Sequence, residues 1–423
     1  MRQPIAFFQR RLGAAGPDGW RMAGAGALVA VGYMDPGNWA TDIAGGTRFG
    51  YGLLFVVAAS SLIAMALQAL VVRVTVAAGT DIASLFRRAF PAPVALGLRL
   101  AGELAILATA VAELVGGAIA LRLLFGLALP AGVALTAAGT FAVIALARGS
   151  AGAHERVVHV LIAVVSLSFL ALLAEAKPDW AKAAAGAAPD AGLLRDPHAL
   201  YLALGILGAT IMPHNLYLHS GLVAARSMGL AEAARRQAIR LGTLDTVLAL
   251  SVAMLVNGAI LIVAAASLEG AAADVASLDG AHRAIGAALG PAAALIFALA
   301  LYAAGQSSAI TGVLAGRYLA QGFCGHPGGR VLRGLLTRVG ATVIALALML
   351  ALGQGDPDAL LVLSQVALSA ALPFVLVPLV IVAAQRRLMG GFALRPAAAL
   401  GFAAAAIGIV ALNLYLLATA PLA

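Results

Sequence analysis

Apolar residues fill this chain in long blocks of Ala, Leu and Val, and short polar stretches separate the blocks. A helix needs ~20 mostly apolar residues to cross a bilayer core. Blocks of that length predict eleven spans, near 23–46, 52–76, 100–126, 131–147, 156–175, 200–225, 242–268, 290–316, 335–353, 359–384 and 398–418. In lipid the backbone must satisfy its own hydrogen bonds, which leaves only helices or closed barrels. The blocks lack the strict apolar–polar alternation of a barrel, so the pattern predicts an all-α polytopic membrane protein. Composition agrees. The 423 residues are 62% hydrophobic and 11% charged, with a mean hydropathy of +1.00. Soluble domains run nearer ~45–50% apolar and ~25% charged, so a soluble globule could not hide this much apolar surface.

Charge then orients the spans. The formal net charge is +9, almost all of it from arginine. With the N-terminus inside, the inner segments carry Arg2, Arg10, Arg11, Arg21, then Arg87, Arg88, Arg99, then Arg148 and Arg156. Further along they carry Arg226, Arg235, Arg236, Arg240, then Arg317, Arg330, Arg333, and finally Arg386, Arg387, Arg395. The outer segments hold few basic residues and many acids, among them Glu175, Asp179, Asp190, Asp196, Glu269, Asp274, Asp279, Asp356 and Asp358. This is the positive-inside pattern, and it places the N-terminus in the cytoplasm and the C-terminus outside. It also accounts for the Arg pairs without a nucleic-acid partner. The first apolar run follows basic residues as a signal peptide would. It contains Asp35-Pro36-Gly37-Asn38 and no cleavage site, so it is expected to be a retained first helix. The single cysteine, Cys324, excludes an internal disulfide.

The span count implies a repeat. Residues 1–22 form a cytoplasmic N-terminus, 23–175 hold five spans, and 176–199 form an outer loop. Residues 200–385 hold five more spans, and 386–423 an eleventh helix and the C-terminus. The second set of five starts from the opposite side, the condition for an inverted repeat. The first helix of each set carries x-Pro-x-Asn, as Asp35-Pro36-Gly37-Asn38 and Met212-Pro213-His214-Asn215. Proline removes a backbone donor and clashes with the preceding turn. A break in hydrocarbon is tolerated where it lines a cavity or is buried in protein. It frees carbonyls that can coordinate a cation. A single such motif could be a plain proline kink; a matched pair in register predicts a site.

The side chains at the breaks suggest its chemistry. Asp35 lies mid-span, where a charge costs at least ~2.5 kcal/mol, and the first span has no basic partner for it. Asn38 adds a neutral oxygen. Met212 adds a thioether, which by itself would be read as packing. Beside Asp35 it shifts the preference from magnesium or calcium toward Mn(II), Fe(II) or Co(II).

The segment from Asp35 through Gly46 resembles the first-helix signature of the natural-resistance-associated macrophage protein (Nramp) family of divalent-metal transporters. Met212 through Ser220 resembles its sixth-helix signature, and Gly305-Gln306-Ser307-Ser308 through Gly312 its eighth-helix stretch. The likeness covers essentially the whole chain. It implies a LeuT-type fold of five plus five inverted helices, with helices 1 and 6 discontinuous and an eleventh helix following. It implies Mn(II)/Fe(II) import by alternating access, usually with protons, through the inner membrane. It implies metal binding by Asp35, Asn38 and Met212, by the carbonyl of Ala209 and, more weakly, by that of Gly32. No cofactor, nucleic acid or obligate protein partner is expected. The substrate metal and the bilayer are the expected partners.

Two departures concern the proton machinery. Ala110 stands where the family usually has Asp, and Ala371 where it often has a Gln that approaches the metal. Glu113 matches a family Glu. His214, Glu113, Arg338 and Glu103 are therefore the candidate proton-pathway residues, with Arg338 a possible partner of Glu113. Asp42 reads as helix-end or gate chemistry, and His219 as a weaker proton candidate. Gln306 and Asn257 read as polar links between helices.

Other functions fit less well. A magnesium transporter would gain little from Met212. An amino-acid symporter of the same fold would place the substrate carboxylate against Asp35. A channel would not concentrate metal against a gradient. An enzyme would need a glycine-rich nucleotide loop or a catalytic metal spacing, and neither occurs.

Overall fold

A computed structural model describes residue 22 and residues 24–146, 153–190, 192–268, 277–325, 339–347 and 357–419. Among these residues there is helix and no strand. The first apolar block is two helices, α1 (Ala25–Ala30) and α2 (Pro36–Phe49), and α3 (Leu54–Ala78) follows. Then come α4 (Ile82–Ala89), α5 (Ala92–Phe125), α6 (Leu129–Leu146) and α7 (Ala153–Ala176). After the short α8 (Trp180–Gly186), the second broken helix is α9 (Pro197–Thr210) and α10 (Pro213–Ser227). Next are α11 (Glu232–Leu268), α12 (Leu278–Leu289), α13 (Pro291–Cys324) and α14 (339–347). The chain closes with α15 (Pro357–Ala371), α16 (Pro373–Ala384), α17 (Arg386–Met389) and α18 (Pro396–Thr419).

Among the described residues, eight helical stretches are long and apolar enough to cross a membrane, and Ala25–Met34 and Leu129–Ala142 are shorter apolar helices. One of the eight, Pro36–Ala78, joins α2 and α3. Two expectations change on inspection. α5 begins at Ala92 and α11 at Glu232, well before the predicted 100 and 242. Arg99, Arg235, Arg236 and Arg240 thus sit on helices that outrun the apolar block, where long side chains can keep their charge in water. The segments read as loops also hold amphipathic helices. α4 buries Ile82, Ala83, Leu85 and Phe86 and is capped by Asp81, whose Oδ1 accepts from Ser84 N at 2.8 Å. α12 is tied down at its start, where Asp358 Oδ1 accepts from Leu278 N at 2.8 Å and Asp279 pairs with Arg122.

The interior gathers around the two broken helices. α2 packs on α9, α11 and α15, while α10 packs on α3 and α13. α5 lies against α13 and α15. Trp39 of α2 is fully buried and meets Phe169 and Phe297 edge-on, with ring centroids 4.6 and 5.4 Å away. Such aromatic contacts anchor a helix beyond simple area burial. By contrast α18 turns Leu400, Ile407, Leu412 and Leu414 outward, as a lipid-facing helix does.

Candidate functional site

Each break is an N-cap. Asp35 is extended (φ −72°, ψ 165°), and Pro36 opens α2 at the first helical position. Met212 is likewise extended (φ −79°, ψ 124°), and Pro213 opens α10. Proline is favoured there because that N–H has no intrahelical partner in any case. The asparagine of each motif then falls at the third helical position and reaches back to the cap. Asn38 N and Nδ2 both donate to Asp35 Oδ1 at 2.8 Å. Asn215 Nδ2 donates to Met212 Sδ at 3.5 Å. The sequence match is thus a match of local geometry.

The two breaks face each other. Asn38 Nδ2 also donates to the Ala209 carbonyl at 3.0 Å. Gly32 sits in the 3-10 turn Gly32–Met34, and a Cβ there would lie 2.2 Å from Asn215 Nδ2. Only glycine permits this approach, and it puts the unwound backbone of one break against the side chain of the other. Asp35, Asn38, Ala209, Met212 and Asn215 are all buried. Asp35 Oδ2 and Asn215 Oδ1 have no hydrogen-bond partner. A buried carboxylate oxygen without a donor is costly unless a cation or proton neutralises it. Among the described residues no three His, Cys, Asp or Glu side chains form a cluster. A cation here would therefore meet one carboxylate and otherwise neutral donors.

Met212 packs with Ala105 of α5 and Leu368 of α15, bordered by Ala108 and Ala371. Ala371 therefore packs against the cluster that holds Met212. The amide of the tenth apolar block sits elsewhere, at Gln365, which the sequence reading passed over. Gln365 is buried, its Nε2 donates to Ser364 Oγ at 2.8 Å, and its Oε1 has no partner. A Cβ on Gly37 would lie 2.0 Å from Gln365 Nε2, and one on Gly208 would lie 2.0 Å from the Gln365 carbonyl oxygen. Gln365 is thus clamped over both breaks. A lone amide in the run Leu363-Ser364-Gln365-Val366 was its only sequence signal.

The proton candidates divide. Thr109 Oγ1 donates to the Ala105 carbonyl at 3.1 Å and lies 3.1 Å from His214 Nδ1. This contact holds the His214 ring against α5. Ala110, the residue after Thr109 in α5, is also buried. Glu113 is buried and accepts from Ser308 Oγ at 2.9 Å. Glu103 pairs with Arg99 at 2.8 Å on the partly exposed part of α5, one turn along the same helix. Arg338 lies outside the described residues. Asp42 is in the middle of α2 rather than at a helix end, and its Oδ2 is buried without a partner. His219 Nδ1 bonds Gln68 Oε1 at 2.8 Å, and Gln68 Nε2 donates to Tyr33 Oη at 2.9 Å. Gln306 does link helices, through Thr140 and the Thr136 carbonyl. Asn257 does more than that: its Nδ2 reaches the Tyr33 carbonyl at 2.8 Å and Asn38 Oδ1 at 3.3 Å.

Comparison with known proteins agrees with this architecture. A protein of Brucella suis called divalent metal cation transporter MntH is 45% identical over 412 residues, covering 97% of this chain and 89% of that protein. One of Pseudomonas aeruginosa, divalent metal cation transporter MntH 1, is 47% identical over 371 residues, covering 87% and 84%. The structure of a manganese transporter from Eremococcus coleocola superposes with a TM-score of 0.84 at 34% identity, over 95% of this chain and 87% of that one. The structure of MhsT in complex with L-phenylalanine, at 18% identity and a TM-score of 0.58, shares the fold, covering 95% of this chain and 96% of that one. The LeuT-type arrangement with two discontinuous helices is therefore the fold of this chain, and the protein is not an enzyme. The model of the family described as natural resistance-associated macrophage protein-like matches residues 26–419, and the chain belongs to that family.

Proposed function

We propose that this protein is a secondary active transporter that carries divalent transition-metal ions, Mn(II) and Fe(II), through a multi-pass inner-membrane fold by alternating access, in company with protons. The observation that carries the reading is the buried pair of facing caps. Asp35 brings a carboxylate with an unpartnered oxygen, Asn38 an amide, Ala209 a carbonyl at the end of α9, and Met212 a thioether. One charge, hard oxygens and one soft sulfur suit a borderline transition metal better than magnesium, which holds its water tightly. The names of the relatives, divalent metal cation transporter and manganese transporter, support the same substrate class. Gly32, whose backbone adjoins Asn215, is the weaker carbonyl ligand.

The repeats would run from 23 to 175 and from 200 to 385, and the arginine pattern supports an N-terminus in the cytoplasm and a C-terminus outside. His214 and Glu113 carry the proton. A second reading, metal uniport with weak coupling, is favoured by one observation: buried Ala110, which follows Thr109 in α5, offers no titratable group. The deciding experiment is Mn(II) uptake into proteoliposomes with internal pH recorded at the same time. Uptake with acidification supports symport, uptake without it supports uniport, and no uptake of any divalent ion rejects the transporter reading.

A further inference from the structure

The amide of Asn38 is turned the wrong way for a metal ligand. Its amino group, not its oxygen, points at Asp35 Oδ1 (2.8 Å) and the Ala209 carbonyl (3.0 Å). Two acceptors fix that orientation, because an oxygen placed there would face a carboxylate and a carbonyl. The amino group thus occupies the position a cation would take between those two oxygens. Asn38 Oδ1 is turned to Asn257 Nδ2, 3.3 Å away on α11.

An ion between Asp35 and Ala209 cannot share that space with two N–H donors. Asn38 must rotate its amide by half a turn to offer Oδ1, and the rotation sends Nδ2 toward Asn257. Two amino groups would then face each other, with no acceptor between them. Asn257 has the remedy, since its own Oδ1 is buried and has no partner. Turning Asn257 brings that oxygen to Asn38 and withdraws its Nδ2 from the Tyr33 carbonyl, now 2.8 Å away. Tyr33 lies in the 3-10 turn just before Asp35.

We propose that Asn38 and Asn257 form a paired amide switch, in which Asn257 is the positioning residue that accepts the Asn38 amino group when an ion is bound. The proposal rests on the reading of the two breaks as a metal site. Loading the ion turns both amides and releases the hold of α11 on the unwound turn Gly32–Met34. The two states are unequal in what Asn257 contributes. In the empty state it supplies a long, shared bond to Asn38 Oδ1. In the loaded state its Oδ1 gives the Asn38 amino group an acceptor, at the expense of the bond from its own Nδ2 to the Tyr33 carbonyl.

The test is calorimetric titration of the purified full-length protein with Mn(II) and, separately, with Cd(II). Mn(II) depends on the hard amide oxygen of Asn38, whereas Cd(II) is anchored more by the Met212 sulfur. Asn257→Ala is expected to weaken Mn(II) binding about tenfold, the worth of one buried hydrogen bond, and to leave Cd(II) within about threefold. Retained Cd(II) binding also reports that the variant is folded. Asn257→Asp keeps an acceptor for Asn38 and is expected to retain the wild-type Mn(II)/Cd(II) affinity ratio. An unchanged ratio in the alanine variant overturns the switch, as does a shift in the aspartate variant equal to that in alanine. Should the alanine variant bind neither ion, the aspartate variant decides, a preserved ratio supporting the switch and a fallen one overturning it. Failure of the wild-type protein to bind either ion rejects the metal site itself, and the switch with it.

Discussion

Asn38 Nδ2 lies 3.0 Å from the carbonyl oxygen of Ala209, although 171 residues separate them along the chain. This contact joins the two broken helices at their caps. Asp35 hangs from one cap and Met212 from the other, so the chemistry of the site is shared between the two halves of the molecule. Any rearrangement of one broken helix against the other must alter the spacing of Asp35 and Asn38 from Ala209 and Met212.

Selectivity is expected to reside in Met212. Its thioether is buried among Ala105, Leu368 and the Asn215 amide. Met212→Ala should keep Mn(II) transport and relax discrimination against Ca(II) and Mg(II), because only oxygen donors remain. Competition assays with Ca(II) check this. Unchanged discrimination would mean that the sulfur does not touch the ion.

Proton movement is expected to depend on Glu113. Glu113→Gln keeps an acceptor for Ser308 Oγ, which now donates to Oε1 at 2.9 Å, but removes the exchangeable carboxyl proton. Metal uptake should persist while the accompanying acidification falls at least about tenfold, the scale at which loss of a positioned acid–base group is felt. Parallel records of Mn(II) and internal pH measure both. Equal loss of both fluxes would make Glu113 a structural residue.

The clamp of Gln365 over both breaks makes a steric prediction. A methyl group at Gly208 would lie 2.0 Å from the Gln365 carbonyl oxygen, and backbone cannot swing aside as a side-chain tip can. Gly208→Ala should force α9 and α15 apart and cost about 1–3 kcal/mol. The thermal midpoint of the purified protein should fall accordingly. A midpoint equal to wild type would show that α9 and α15 do not pack this closely.

Trp39 should be a stability residue next to the site. It is fully buried against Phe169 and Phe297, and its Nε1 donates to the Met34 carbonyl at 3.2 Å. Trp39→Ala is expected to lose about 3–5 kcal/mol, the range for deleting a large core aromatic. Trp39→Phe should lose less, since it keeps the ring contacts but not the hydrogen bond. Denaturation midpoints of the two variants would separate packing from bonding, and equal losses would contradict the packing argument.

Much of this molecule is legible in its sequence, and the reasons are physical. Proline at 36 and 213 cannot continue a helix, so the breaks are visible without coordinates. Asp35 is visible because a charge in an apolar block needs an explanation. Helix length was less legible. The apolar block near 242–268 starts where the charged residues stop, whereas α11 begins at Glu232 and runs through charged residues that a hydropathy pattern takes for a loop. Asn257 and Gln365 were the least legible. Each is a single amide in an apolar helix, and such a residue can join helices or serve a site equally well. Only the facing elements decide: Asn257 meets Asn38 across α11 and α2, and Gln365 meets Gly37 across α15 and α2.

The most direct test of the central claim is Mn(II) uptake into proteoliposomes by Asp35→Ala beside wild type. Asp35 is the charged group at the two caps, and its unpartnered Oδ2 is the oxygen most in need of a cation. The account predicts that the variant, inserted and folded as wild type, takes up no Mn(II) above protein-free vesicles. Uptake near the wild-type rate would contradict it.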